Sequence, residues 1–243
     1  MEIDKLKLYF GEPYKINDKI TILQPSIGDI MRFGEKDFYA MLNPFITNPT
    51  SYRLTLWDAG IDWNTITDYD LFATLLKSTN PNNTKLLFGD IDFRLFNKYT
   101  KKLNDEETTT LYNPEQDIEI DEKTYEHIAK YLRTMFNIFP KVEKAKGKTT
   151  KEWMIDEDRI SYNLHKDEDY KSTLLPLISS CLNHPGFKYK KSELKDVCIV
   201  EFMDSVQRLQ IYENTTALMG GMYSGMVDAK GLDKDALNFM RSI

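Results

Sequence analysis

The chain contains little cysteine and little histidine, and this scarcity removes several classes of site. Its 243 residues include two cysteines, Cys181 and Cys198, and three histidines, His127, His165 and His184. Two lone cysteines do not form the disulfide framework of a small secreted protein, so we expect two buried, reduced thiols. The histidines are too far apart for the i, i+4 spacing that places two metal ligands on one helix face. The sequence therefore predicts no metal site.

Long apolar runs and excess positive charge are also missing. The start of the chain lacks the apolar stretch of a signal peptide, and no run approaches the roughly 18 apolar residues of a membrane span. The net charge is −6, which weakens attraction to nucleic-acid phosphates and to anionic membranes. We therefore expect a cytosolic protein that contacts neither a membrane nor nucleic acid.

Catalytic motifs are absent as well. The chain contains no G-x-S-x-G nucleophile elbow, no P-loop and no G-x-G-x-x-G fingerprint. The glycine-rich stretch 220–225 lies in helical sequence and is interpreted as a helix break or a tight packing point. Carboxylate groups at 90–92 and 156–158 are interpreted as solvated surfaces. We expect no enzyme, no cofactor and no small-molecule substrate, with a carboxylate-only hydrolase as the remaining enzymatic alternative.

Hydrophobic residues make up 41% of the chain and aromatic residues 12%, enough for a substantial core. In the N-terminal half, residues 5–24 alternate between apolar and polar side chains around turn residues and predict a β-hairpin. Residues 85–120 also predict strands, with a polar loop at 105–110. We interpret 82–120 as a β-rich insertion within an α+β domain that spans residues 1–145.

Helix starts are marked by capping residues. Ser26 with Asp29, Thr67 or Asp68, and Asp121 are each followed by apolar residues at helical spacing. A further helix is expected to end before Pro44.

The second half predicts helices. The lysine-rich segment 141–151 is interpreted as an exposed loop, and 146–170 as a basic-then-acidic boundary. Residues 171–243 are expected to form a helical domain, whose longest helix is capped by Ser192 and whose last helix spans 233–240. The fold class is therefore α+β, with a small β-containing N-terminal part and a predominantly helical C-terminal part.

Methionine is frequent near the C-terminus, and methionine suits adaptable binding surfaces as well as cores. A hydrophobic groove among the C-terminal helices is the partner-binding site that we expect. Its candidate residues are Phe202, Met203, Leu209, Met219, Met222 and Tyr223.

A family resemblance touches both ends of the chain. Residues 13–35 contain Pro-Tyr-Lys-Ile and Pro-Ser-Ile-Gly-Asp-Ile, 177–189 include Ser-Cys-Leu-Asn-His-Pro-Gly-Phe, and 202–228 include Phe-Met-Asp-Ser-Val-Gln-Arg-Leu and Met-Tyr-Ser-Gly-Met-Val-Asp. Together they resemble uncharacterised tail-module proteins of phages and prophages of Gram-positive bacteria. Residues 82–165 carry no such resemblance.

The resemblance implies a non-enzymatic protein of the host cytoplasm that binds phage tail structural proteins. An assembly chaperone, with the tape-measure protein as one possible client, is the favoured function. A virion structural component, such as a tail, connector or baseplate subunit, is the first alternative, and oligomerisation stays open. A DNA-associated phage factor that uses the lysines of 144–151 together with Trp153 is a further alternative.

Overall fold

The computed structural model describes residues 2–103 and 106–242. Helices dominate this part of the chain, and two small antiparallel sheets lie in its N-terminal half, which confirms the α+β class. The described α-helices are α1 (Lys5–Tyr9), α2 (Ile27–Phe33), α3 (Glu35–Ile46), α4 (Arg53–Asp58), α5 (Asp68–Leu75), α6 (Pro81–Phe88), α7 (Glu122–Phe136), α8 (Lys148–His165), α9 (Leu174–Asn183) and α10 (Ile199–Tyr223).

The sheets are both antiparallel. The first sheet joins β1 (Tyr14–Lys15) to β2 (Thr21–Ile22), and the second has the order β3 (Asn97–Leu103), β4 (Glu106–Asn113) and β5 (Ile118–Ile120). The polar loop expected at 105–110 is wrong for 106–110, because these residues belong to β4. Asp105 lies outside the described residues.

The hairpin predicted over 5–24 is correct only for its second half. Residues 5–9 form α1, because the Asp4 side chain accepts hydrogen bonds from the backbone N–H groups of Leu6 and Lys7. This cap satisfies two of the unpaired donors of a helix start. The alternation of apolar residues that suggested a strand lies on this short helix instead.

The strands predicted from residue 85 begin only at residue 97. The cluster at 78–83 breaks one helix and also starts the next, since the Asn80 side chain accepts from the N–H of Asn82 and Pro81 occupies the first helical turn. Proline is well suited to that position. Residues 86–88, expected in a strand, therefore lie on α6.

Most predicted helix starts are confirmed. Ser26 and Asp29 form a reciprocal capping box, and the side chains of Thr67 and Asp121 cap α5 and α7. The helix before Pro44 also exists, but it continues through that proline to Ile46.

Ser192 does not cap the longest helix. The backbone around residue 198 stays extended, because Ile27 N–H donates to the Val197 carbonyl and Ile199 N–H donates to that of Pro25. These bonds delay the start of α10 to Ile199, with Cys198 at its N-cap. The last helix, predicted over 233–240, is only a short 3₁₀ turn at Lys234–Leu237.

The lysine-rich segment is not a free loop. Between residues 141 and 147 the backbone is docked, with carbonyls of Lys141, Glu143 and Ala145 accepting bonds from side chains in 48–64. The boundary expected at 146–170 is largely the helix α8. A turn rich in charge thus becomes ordered through contacts that are distant in sequence.

The main core draws residues from both halves of the chain. Phenylalanines of α3, α5 and α6 pack together near Phe93, and Phe38 contacts Phe136 of α7. Leu174 and Cys181 of α9 and Phe202 of α10 belong to the same core. A second, smaller core combines the 52–75 region with Ala145 and Ile155. The shared main core fixes where α10 leaves the body of the protein.

Candidate partner-binding surface

The helix α10 is buried at its start and exposed along its later turns. Ile199, Phe202 and Val206 are in the main core, whereas Thr215 is the buried residue in the rest of the helix. The side chains of Tyr212 and Tyr223 are 57% and 85% exposed. The second half of α10 therefore presents one of its faces to solvent.

An open groove runs beside this exposed part of α10. It encloses about 580 Å³ and lies between α1, the chain after α9, α10 and the C-terminal segment. Its walls are mainly aromatic and apolar, and they include Tyr9, Phe187, Tyr189, Leu209, Tyr212 and Phe239. Tyrosine and phenylalanine supply large contact areas that suit recognition of another protein.

A tight turn forms one wall of the groove. His184 ends α9, and its Nδ1 accepts from the N–H of Gly186 at 3.0 Å. Its Nε2 lies 3.1 Å from a carboxylate oxygen of Glu213 on α10. These two contacts fix the turn that carries Phe187 and Tyr189 against α10.

The C-terminal segment forms the other wall. The Arg208 guanidinium donates to the carbonyl of Arg241 at 2.7 Å and to that of Phe239 at 3.3 Å. The hydroxyl of Thr215 donates to the Ala236 carbonyl at 3.1 Å. Since both donors lie on α10, the helix itself holds the segment in place and positions Phe239 at the groove.

Two phenols give the groove a polar edge. The hydroxyl of Tyr189 donates to the carboxylate of Glu201, and this bond raises the pKa of Tyr189 to about 12. Burial, with the nearby charges of Asp204 and Glu201, raises the pKa of Tyr9. Both phenols therefore remain protonated at neutral pH and keep their donor capacity.

The predicted groove residues do not all lie together. Leu209 lines the groove as expected. Phe202 does not, because it is fully buried in the main core. Met203 lies on another side of α10, beside Leu177 of α9 and Phe136 of α7.

The exposed face of α10 extends beyond the groove. Tyr212, Met219 and Tyr223 are separated by seven and four residues, which places them within an arc of about 40° around the helix axis. Met219 is 39% exposed. These three residues are called the α10 stripe below. Met222 is half-buried and lies off the stripe, so two of the predicted methionine and tyrosine positions share this face and one does not.

The sequence interpretation missed most of the groove. Phe187 and Tyr189 follow the Asn-His-Pro-Gly turn, and this turn was a signal that aromatic side chains are held at a fixed position there. Tyr212 lies three residues after Leu209, so helical spacing could have identified it. Tyr9 and Phe239 come from the two ends of the chain and carried no local signal.

A cysteine, a histidine and a glutamate line a second depression on the other side of α10. Cys181, His184 and Glu213 resemble a nucleophilic triad in composition. Both imidazole nitrogens of His184 are already engaged, by Gly186 and Glu213, and burial raises the pKa of the Cys181 thiol. A free base for the thiol is therefore missing, and the group acts as a structural clamp on the turn.

The remaining sequence alternatives meet different environments. The buried polar side chains of the described residues are threonines and asparagines, so this part of the chain offers no buried carboxylate pair. The ammonium group of Lys151 contacts Asp62 and lies over the Trp63 ring, which removes one lysine from the proposed DNA-binding set. Trp153 is 60% exposed.

The described residues contain no cluster of three or more His, Cys, Asp or Glu placed to hold a metal ion. None of the helices in this part of the chain is long and apolar enough to cross a bilayer. Comparison with protein-family models, curated proteins and solved structures gives no match for the chain.

Proposed function

We propose that the protein is a non-enzymatic phage tail morphogenesis protein of the host cytoplasm, which binds other tail proteins as an assembly chaperone. The observation that carries this proposal is the open aromatic groove that continues into the α10 stripe. The stretches that resemble tail-module proteins, 177–189 and 202–228, supply much of this surface, since they contain Phe187, Tyr189, Leu209 and Tyr212.

The surface fits an amphipathic helical segment of a client. Anchors spaced three, four and seven residues apart on such a segment would insert beside Leu209 and Tyr212 and continue along the stripe. The phenols of Tyr9 and Tyr189 would meet the polar side of the segment. No small molecule is required, because the groove is open along its length.

The expected affinity suits a chaperone that later releases its client. Each buried apolar anchor contributes about 2 kcal/mol, whereas association itself costs at least about 4 kcal/mol. Four to six anchors therefore give a dissociation constant in roughly the micromolar range. The net charge of −6 favours solubility of the complex.

Co-expression with the tail proteins, the tape-measure protein among them, followed by affinity capture tests the proposal. Tyr212→Ala and Phe239→Ala remove half-exposed groove side chains and should reduce client capture by about tenfold each without affecting folding. Tyr162→Ala is the matched control, because Tyr162 is 61% exposed and lies on α8, away from the groove. Equal capture by the groove variants and the control would refute the proposal.

The second candidate function is a structural component of the virion. It is favoured by an exposed apolar face on α8, since subunits of a particle need faces that contact other subunits. Such a component would remain in purified particles, whereas an assembly chaperone would not.

A further inference from the structure

The helix α8 is held to the body of the protein along one side. Ile155 is buried in the second core, and Lys151 contacts Asp62. The carboxylate of Asp158 accepts two bonds from Arg53, at 2.5 and 2.6 Å. Residues 151, 155 and 158 share one side of the helix, so these contacts fix how α8 is rotated about its axis.

The opposite side of α8 is apolar and exposed. Trp153, Ile160 and Leu164 are 60%, 61% and 70% exposed. Their separations of seven and four residues place them within an arc of about 40°, on the side opposite to the docked residues. We call these three residues the α8 stripe. Large apolar side chains in one row on a fixed helix are typical of an interaction surface.

Charge is distributed along α8 against the helix dipole. Lys146 and Lys148 lie at the N-terminal end, where the backbone carries partial positive charge, and Asp167, Glu168 and Asp169 follow the negative C-terminal end. Each end of an isolated helix prefers the opposite sign of side-chain charge. This arrangement therefore disfavours the helix alone.

An antiparallel second copy of the same helix removes both disadvantages. The basic end of each copy would meet the acidic end of the other, and the two stripes would cover each other. A pairing centred between residues 158 and 159 brings Trp153 opposite Leu164 of the second copy, and Lys148 opposite its Asp169. One two-fold axis satisfies all of these contacts, as in most protein homodimers.

We propose that the protein forms a two-fold dimer through antiparallel pairing of α8 with α8 of a second copy. The α8 stripe is about 16 Å long, so the contact is smaller than a standard stable interface. The dimer is accordingly weak and concentration-dependent. It is independent of client binding, because the groove and the α10 stripe use other elements.

Sedimentation velocity of the full protein over a concentration series tests the dimer. The wild-type protein should shift from the mass of one chain towards twice that mass, and Ile160→Asp or Leu164→Asp should weaken this association by about tenfold or more. Tyr162→Asp is the matched control on the same helix, since Tyr162 is 61% exposed on the other side of α8. Circular dichroism checks that all variants remain folded.

Charge exchange tests the antiparallel arrangement itself. Lys148→Glu and Asp169→Lys should each weaken the dimer, and the double variant should restore it. A wild-type protein that remains monomeric at every concentration would overturn the proposal, as would a dimer that Ile160→Asp leaves unchanged. A double variant that is weaker than both single variants would overturn the antiparallel pairing.

Discussion

Glu35 stabilises α9 from a different helix, and replacing it should be costly for an intermediate surface position. α9 has no capping side chain of its own. The Glu35 carboxylate accepts from the N–H groups of Thr173 and Leu174 at 2.8 and 2.9 Å, and from the hydroxyls of Thr173 and Ser172. This carboxylate therefore performs the role of an N-cap and also opposes the positive end of the helix dipole.

The magnitude follows from the bonds that are lost. Removal of an N-cap costs about 1 kcal/mol, and hydrogen bonds to a charged group contribute more than neutral ones. Solvent access on one side of Glu35 reduces the sum. We expect Glu35→Ala to lower the free energy of unfolding by about 2 kcal/mol, which corresponds to a decrease in Tm of about 4–8 °C for a chain of this size.

Urea unfolding followed by circular dichroism measures the effect, and Glu126→Ala on the exposed side of α7 is the control. The midpoint should fall for Glu35→Ala at an unchanged m-value and should move little for the control. If both variants unfold at the wild-type midpoint, the cap from Glu35 contributes nothing and the reasoning is refuted.

The same carboxylate predicts a dependence on pH. Burial disfavours its charged form, but the bonds from Ser172, Leu174 and Thr173 outweigh burial and hold the pKa of Glu35 below its ordinary value. A lowered folded-state pKa contributes stability above the unfolded-state pKa, and this contribution disappears as the pH falls through the folded-state pKa. The difference in stability between the wild-type protein and Glu35→Gln should therefore shrink on acidification. A difference that grows in acid would contradict this sign.

Three further variants test other parts of the structure. Arg53→Ala should lower the free energy of unfolding by about 2–3 kcal/mol in urea titrations, because the guanidinium is 13% exposed and bonds to Asp158 and Glu143. Gly220→Ala should raise Tm, since alanine gains about 1 kcal/mol over glycine in a helix and a Cβ there meets no atom within 4 Å. Gly221→Ala should instead lower Tm and speed amide exchange at Met226, because its Cβ would lie 2.7 Å from the Val227 side chain. Equal Tm changes for the two glycine variants would contradict the packing described here.

Local signals in the sequence predicted helix starts well. The caps at Ser26, Thr67 and Asp121 act within three residues of themselves, so they can be recognised without knowledge of the fold. The amphipathic spacing of α7 was equally informative, and its apolar positions are buried. These elements depend on interactions that are local in sequence.

Long-range contacts decided the elements that the sequence did not predict. The strap at 141–147 is ordered by side chains almost a hundred residues away, and α10 begins late because 197–199 pairs with 25–27. Tyr9 and Phe239 meet only because both ends of the chain pack on α10. Phe202 was placed in a groove because its helical spacing is compatible with either a core or a surface.

The most direct test of the proposed function is quantitative mass spectrometry of purified phage particles beside the lysate in which they assemble. An assembly chaperone is expected to be abundant in the lysate, to co-purify there with tail proteins, and to be absent from finished particles. A fixed number of copies in each particle would contradict the chaperone proposal and would favour a structural subunit instead.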